Sequence, residues 1–215
     1  RNDSIEKSAE FHVFPSFTTY YYGLNAGKSK LLEDPELRWA ISQSLDRREI
    51  AKVLGRENRG VEQWVAKEIF PDLKSSPKKK YSLELAAKKI QEAQQAGKMD
   101  ILLRVYNKSA HKLLAEWAQG QWQKKLGVRI PIEVQEGKVY WKEIVTNPGA
   151  IHISGITAPY GHPRAYFQEF LGTSTANWTG WKSKDYDLAV NEEKFQKAED
   201  LLADSGVIIP LYTRD

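Results

Sequence analysis

With 32 Lys and Arg against 28 Asp and Glu in 215 residues, the net charge is +4, and no basic face or recognisable module marks a nucleic-acid surface. Hydrophobic residues make up 41 % and aromatic ones 11 %, enough to bury a real core, while the lack of cysteine excludes disulfides and thiolate metal sites. No apolar run reaches the length of a membrane span, and the short basic runs Lys78–Lys80 and Arg47–Arg48 read as solvated faces.

In chain order, residues 1–13 are polar and read as linker, and residues 14–215 as a single α/β lobe. Phe17 to Asn25 is predicted to be a strand ended by the turn-prone Asn25-Ala26-Gly27. Asp34-Pro35 starts a helix, with a cap followed by proline in the first turn. Leu37, Ile41, Leu45 and Val53 form its buried stripe, and Gly55 ends it. Arg56 to Lys80 reads as irregular, broken by Pro71 and Pro77. Ser82 caps a helix carrying Leu83, Ala86, Ala87, Ile90 and Ala93 before Gly97. Asp100 to Tyr106 is short, apolar and β-prone. Ser109 is expected to cap the next helix, in which Leu113, Leu114, Trp117, Ala118, Trp122 and Leu126 recur at helical spacing before Gly127. Val128 to Val134 alternates apolar and polar, with Pro131 pointing to a sheet edge. A strand from Ile151 to Ile156, a helix from Pro163 to Leu171 and an aromatic turn at Trp178 to Trp181 follow. A last helix from Glu193 to Leu202 leads to the strand Val207 to Tyr212. The alternation of strands and helices predicts a mixed sheet flanked by helices, a scaffold for binding or catalysis.

Enzymatic motifs are missing. Gly27-Lys28-Ser29 has the end of a phosphate loop, but Tyr22 stands where that motif requires glycine. There is no G-x-S-x-G elbow and no H-E-x-x-H. The four histidines, His12, His111, His152 and His162, do not show a metal-ligand spacing, and a metal site needs several converging ligands. The chain therefore reads as a non-enzyme without cofactor.

Several blocks stand in order along the chain: Pro15-Ser16-Phe17 through Asn25, Leu37-Arg38-Trp39-Ala40-Ile41-Ser42 with Leu45-Asp46-Arg47, Tyr106-Asn107-Lys108-Ser109 with His111-Lys112, Trp122 through Val128, Gln135 through Tyr140, and Pro210-Leu211-Tyr212. Together they resemble the oligopeptide-binding protein family, the extracytoplasmic solute-binding proteins (family 5) of bacterial ABC importers. The resemblance implies one lobe of a periplasmic-binding-protein type II-like fold, here the second lobe, excised or naturally isolated from a longer two-lobed protein. Between Asp187 and Lys197 this sequence is shorter than the family pattern, so that either the region is truly shortened or a segment is missing.

The same resemblance makes Ile151 through Pro163 the functional focus, a strand end whose backbone pairs with an extended peptide in the cleft between lobes. It implies Gly155, Ile156, Thr157, Ala158, Pro159 and Tyr160 as lining residues. Tyr20 to Tyr22 alternate faces on their strand, and Tyr21 is counted with the site. Trp178 and Trp181 either stack on a ligand or pack against the last helix. In peptide-binding members an aspartate holds the ligand's ammonium, and here that place falls on Pro159 or Ala158. No carboxylate stands between Glu143 and Glu169, which argues against an ordinary peptide with a free N-terminus. Some family members bind nickel, and Ala158-Pro159-Tyr160 with His162 is faintly similar to them, but two unplaced imidazoles, His152 and His162, read better as satisfied core or surface histidines than as a metal site.

The expected partners are an oligopeptide or other small solute, the ABC transporter permease and the missing first lobe. The expected place is periplasmic or extracytoplasmic, lipid-anchored in a Gram-positive. Two other readings remain, a ligand-sensing domain of a bacterial regulator and a degenerate lobe serving as a protein-interaction scaffold.

Overall fold

The computed structural model describes residues 17–55, 57–76, 82–147 and 149–214. The linker at residues 1–13, Pro15 and Ser16, the breaker Pro77 and the run Lys78–Lys80 lie outside the described residues.

Six strands form one mixed sheet: β1 (Thr18–Leu24), β2 (Asn58–Gly60), β3 (Leu103–Tyr106), β4 (Ile132–Gln135), β5 (Ile151–Thr157) and β6 (Ile208–Arg214). Their spatial order is β2-β6-β1-β5-β3-β4. β1 lies antiparallel to β5 and β6, whereas β3 runs parallel to both β4 and β5. The helices are α1 (Pro35–Gln43), α2 (Ile50–Leu54), α3 (Leu83–Gln95), α4 (Ser109–Leu126), α5 (Gly137–Glu143), α6 (Arg164–Phe167), α7 (Lys184–Asn191) and α8 (Phe195–Ser205). The expected mixed sheet flanked by helices is thus present.

Strand alternation splits the core in two. Tyr22, Leu24, Ile151, Ile153, Leu103 and Val105 point to one face and join α1, α3 and α4 in the first cluster. Tyr21 points the other way, into a second cluster with Trp64, Tyr166, Phe170, Tyr186 and Leu202. Pro131 precedes β4, which is the outer strand, so the sheet-edge expectation agrees with the topology. Pro210 sits inside the sheet where the β1–β6 register shifts between Tyr20 and Tyr21, a bulge that tolerates a residue without an N–H.

Several local expectations needed correction. The single helix from Pro35 to Gly55 is two. Asp34 caps α1 through the Glu36 N–H, as expected, but Ser44 turns its hydroxyl back to the Ile41 carbonyl, and Asp46 caps a fresh start through the Arg48 N–H. Ser109 is not a cap but the first helical residue of α4; Lys108 holds the cap position without a side-chain hydrogen bond. Leu113 is 47 % exposed, and His111 and Ala115 take the inward positions instead. The segment after Arg56 contains the short β2, paired with the end of β6. Asp100 lies ahead of β3 and accepts from Ser29 Oγ and the Lys30 N–H, both at 2.6 Å. Finally, α7, capped by Ser183, was not foreseen. Glu193 has a positive φ of 56° and separates α7 from α8, so the last helix cannot begin there. This tight join, closed by the Lys194 N–H on the Ala189 carbonyl at 2.8 Å, spans the short Asp187–Lys197 interval.

Candidate functional site

β5 is paired with β1 at every position from Ile151 to Thr157, but with β3 only at Ile151 and His152. The parity of the ladder determines where the remaining groups point. Ala150 and Ala158 bond to the β1 side, through Asn25 and Phe17, whereas the Ile151 N–H bonds to Leu102 on the β3 side. Odd-numbered residues of β5 therefore face β3. The carbonyl of Ile153 is taken by the Tyr140 hydroxyl. Beyond it, the N–H and C=O groups of Gly155 and Thr157 have no ladder partner among the described residues. Two residues of open edge result, at the carboxyl ends of parallel strands, where open α/β sheets bind ligands.

Aromatic rings frame this edge. Tyr20 lies over Gly155: a Cβ there would come within 2.8 Å of Tyr20 Cδ1, so only glycine leaves the ring its place. Tyr20 stacks on Tyr212 with centroids 4.5 Å apart. Tyr106 meets His111 edge-on at 4.1 Å and Trp141 at 5.5 Å, and Trp141 is 45 % exposed.

The sequence-predicted residues divide into three groups. Gly155 and Thr157 are exposed and Ile156 is half-buried against the second cluster. Ala158 is buried, whereas Pro159 and Tyr160 are exposed on the turn beyond the strand. Tyr21 is only 1 % exposed; its hydroxyl donates to Glu169 Oε1 at 2.8 Å beneath the sheet. Burial pushes the Glu169 carboxyl up to about 7, against the pull of that hydrogen bond. Trp178 packs on His152 and Trp141, and Trp181 on Tyr186 of α7 rather than on the last helix.

His152 and His162 do not come together as a pair. His152 is fully buried under Gly23, and burial, with the Arg104 charge beside it, pulls it down to about 3. His162 accepts the Arg164 N–H at 3.3 Å and packs on Phe195. Among the described residues no group of three His, Asp or Glu side chains converges as a metal site would require.

His111 lies beneath the open edge, against the rings of Tyr20 and Tyr106. It is 1 % exposed, neither ring nitrogen has a partner among the described residues, and burial followed by the Lys108 charge pulls it down to about 4. It occupies the first turn of α4, whose uncapped N–H groups give that end a positive field. The signal in the sequence was its place one turn into a helix that directly follows a strand.

The family model for bacterial extracellular solute-binding proteins, family 5, matches residues 2–178. The periplasmic oligopeptide-binding protein OppA of Escherichia coli is 28 % identical over 94 % of this chain and 41 % of its own length. The oligopeptide-binding protein OppA of Bacillus subtilis is 23 % identical over 97 % of this chain and 42 % of its own. The chain thus spans about two fifths of the curated relatives it matches. Among solved structures, Haemophilus influenzae OppA in complex with RPPGFSPFR superposes with a TM-score of 0.79 at 24 % identity, covering 96 % of this chain and 44 % of that one. The fold is one lobe of a periplasmic-binding-protein type II-like fold, and the named relatives are binding proteins, not enzymes. By sequence, this chain belongs to the bacterial extracellular solute-binding proteins of family 5.

Proposed function

We propose that this chain supplies one wall of an extracytoplasmic trap that binds a peptide or similar solute and passes it to an ABC importer. The observation that carries this reading is the open flank of β5, where the backbone groups of Gly155 and Thr157 have no ladder partner among the described residues. An extended ligand adds itself there as a strand, and main-chain pairing tolerates many side chains. Pro159 and Tyr160 form the rim, and Tyr106 and Trp141 take an apolar side chain. The uncapped end of α4, with the exposed Lys108, favours an anionic group of the ligand. No carboxylate between Glu143 and Glu169 faces a ligand amine from this wall, which favours a blocked or non-peptidic amine end.

Closure against a second lobe would complete the trap without covalent chemistry, and the permease would receive the ligand from the closed form. A single wall binds weakly, because half of the contacts are missing. Titrating the isotope-labelled 215-residue chain with an N-acetylated tripeptide tests this. Amide shifts centred on Gly155 and Thr157, with weak affinity, are expected. Micromolar affinity for this chain alone would overturn the single-wall reading, and shifts that spare both amides would overturn the edge itself.

A further inference from the structure

On the β6 side of the sheet, away from the open flank of β5, α1, the stretch from Glu62 to Ser76 and α8 enclose a cavity of about 420 Å³. That volume falls in the range of small-ligand pockets, about 300–1,000 Å³. Trp39, Leu45, Trp64, Leu202 and Ile208 give it apolar walls.

The half-buried Arg47 and the buried Glu199 line it as well, with Glu62 among its further polar residues. Arg47 donates to the Pro210 carbonyl at 2.6 Å and to Ser42 Oγ at 2.9 Å, with longer contacts to the Ser42 and Leu45 carbonyls at 3.4 Å. These acceptors are neutral, while the charges of Glu62, which also lines the cavity, and of Asp46 oppose the effect of burial on Arg47. Burial pulls its guanidinium down to about 10. Glu199 is 3 % exposed; its Oε1 accepts the Trp64 N–H at 2.8 Å, and Oε2 has no partner among the described residues. A half-buried cation whose hydrogen-bond acceptors among the described residues are neutral, and a buried acceptor left open among them, are both stabilised by a ligand of matching chemistry.

We propose that this cavity is a second binding site, for a small carboxylic acid with an apolar or aromatic body and a hydroxyl or amide donor. The carboxylate meets Arg47 in a charge-assisted hydrogen bond, the donor serves Glu199, and the body lies against Trp39 and Trp64. The site is independent of the β5 reading.

The full 215-residue chain is titrated with 3-phenyllactate while the indole N–H signals of Trp39 and Trp64 are followed by NMR. The controls are 3-phenyllactamide, 3-phenylpropionate and 3-phenylpropylamine. Saturating shifts at both indoles are expected, with the amide binding at least about tenfold more weakly and loss of the hydroxyl costing several-fold. Arg47→Gln should erase the preference for acid over amide. Ala203→Phe, which fills the cavity and leaves Arg47 in place, should abolish saturation. Equal binding of acid and amide to the natural chain would show that Arg47 merely pins β6, and would overturn the proposal. So would tighter binding of the amine, absence of saturation, or saturation that survives Ala203→Phe. If Arg47→Gln does not fold, the acid-to-amide ratio and Ala203→Phe decide. The amides of Gly155 and Thr157 should stay still throughout, so the result neither supports nor sinks the peptide wall.

Discussion

Along its β1 flank β5 is paired at all seven positions, whereas along its β3 flank pairing ends at His152 and two residues of backbone stay open among the described residues. The closed flank is packed to contact: a methyl group at Gly23 would overlap the imidazole of His152, which is fully buried. At the open end, Gly155 also has a ring above it, but that ring belongs to Tyr20, which is only half-buried and can move. One strand thus serves as core at one end and as binding surface at the other. Substitutions at two glycines on the same ladder should accordingly act on different properties.

Gly23→Ala carries the largest expected effect, a loss of about 3 kcal/mol of stability, because neither the strand backbone nor the enclosed imidazole has room to retreat. Chemical denaturation would measure it, and a loss below about 1 kcal/mol would show that the closed flank is looser than its packing implies. Gly155→Ala should cost about 1 kcal/mol, since Tyr20 can swing aside. It should nevertheless remove the peptide-induced shift at Thr157, because the displaced ring would lie across the open edge.

Titratable groups sharpen the contrast. His152 and His111 are pulled from 6.5 to about 3 and about 4, so the unfolded chain binds more protons below pH 6.5 and both destabilise the fold as pH falls. Glu169 and Glu199 are pushed from 4.5 to about 7, so the folded chain binds more protons there and both stabilise the fold as pH falls from 7 to 4.5. The two effects oppose each other between pH 4.5 and 6.5, where stability should be nearly flat. Below pH 4.5 the histidines act without that compensation, and roughly 2–3 kcal/mol should be lost by pH 3, at about 1.4 kcal/mol per unit and group. Denaturation at half-unit steps of pH checks this. In the double variant Glu169→Gln, Glu199→Gln the decline should begin near pH 6.5; an unchanged flat region would show that the carboxylates do not provide the compensation.

The sequence made β1, β5, α3 and the end of α4 legible, because each carries a local signal: β-branched and aromatic runs, the Ser82 cap, Gly127 in a left-handed turn. β2 was not legible, since three residues Asn58–Gly60 have no periodicity and become a strand only through pairing with β6. The split at Glu193 is a backbone conformation that no residue type there announces. For the site, strand and turn could be placed from the resemblance, but the open flank could not. It depends on β3 leaving β5 after two positions, a tertiary fact. Nor does sequence tell which tyrosine of Tyr20-Tyr21-Tyr22 faces the ligand. Alternation requires Tyr21 to differ from its neighbours, and the helices packed on each face decide the rest.

Tyr21→Phe makes the smallest change and tests where floor ends and wall begins. The ring meets Trp64 at 4.9 Å and Phe170 at 5.7 Å, both edge-on, and that packing survives loss of the hydroxyl. The hydroxyl's hydrogen bonds to Glu169 and Ser154 are lost, at a cost of about 1 kcal/mol. The first of these holds the Glu169 carboxyl down, so its pKa should rise further, which NMR titration of that carboxyl would show. If Tyr21 belongs to the floor, the shifts of Gly155 and Thr157 on adding peptide should keep their size and midpoint. A weakened response at those two amides, with stability changed by no more than about 1 kcal/mol, would instead place Tyr21 among the residues that hold the edge in its binding geometry.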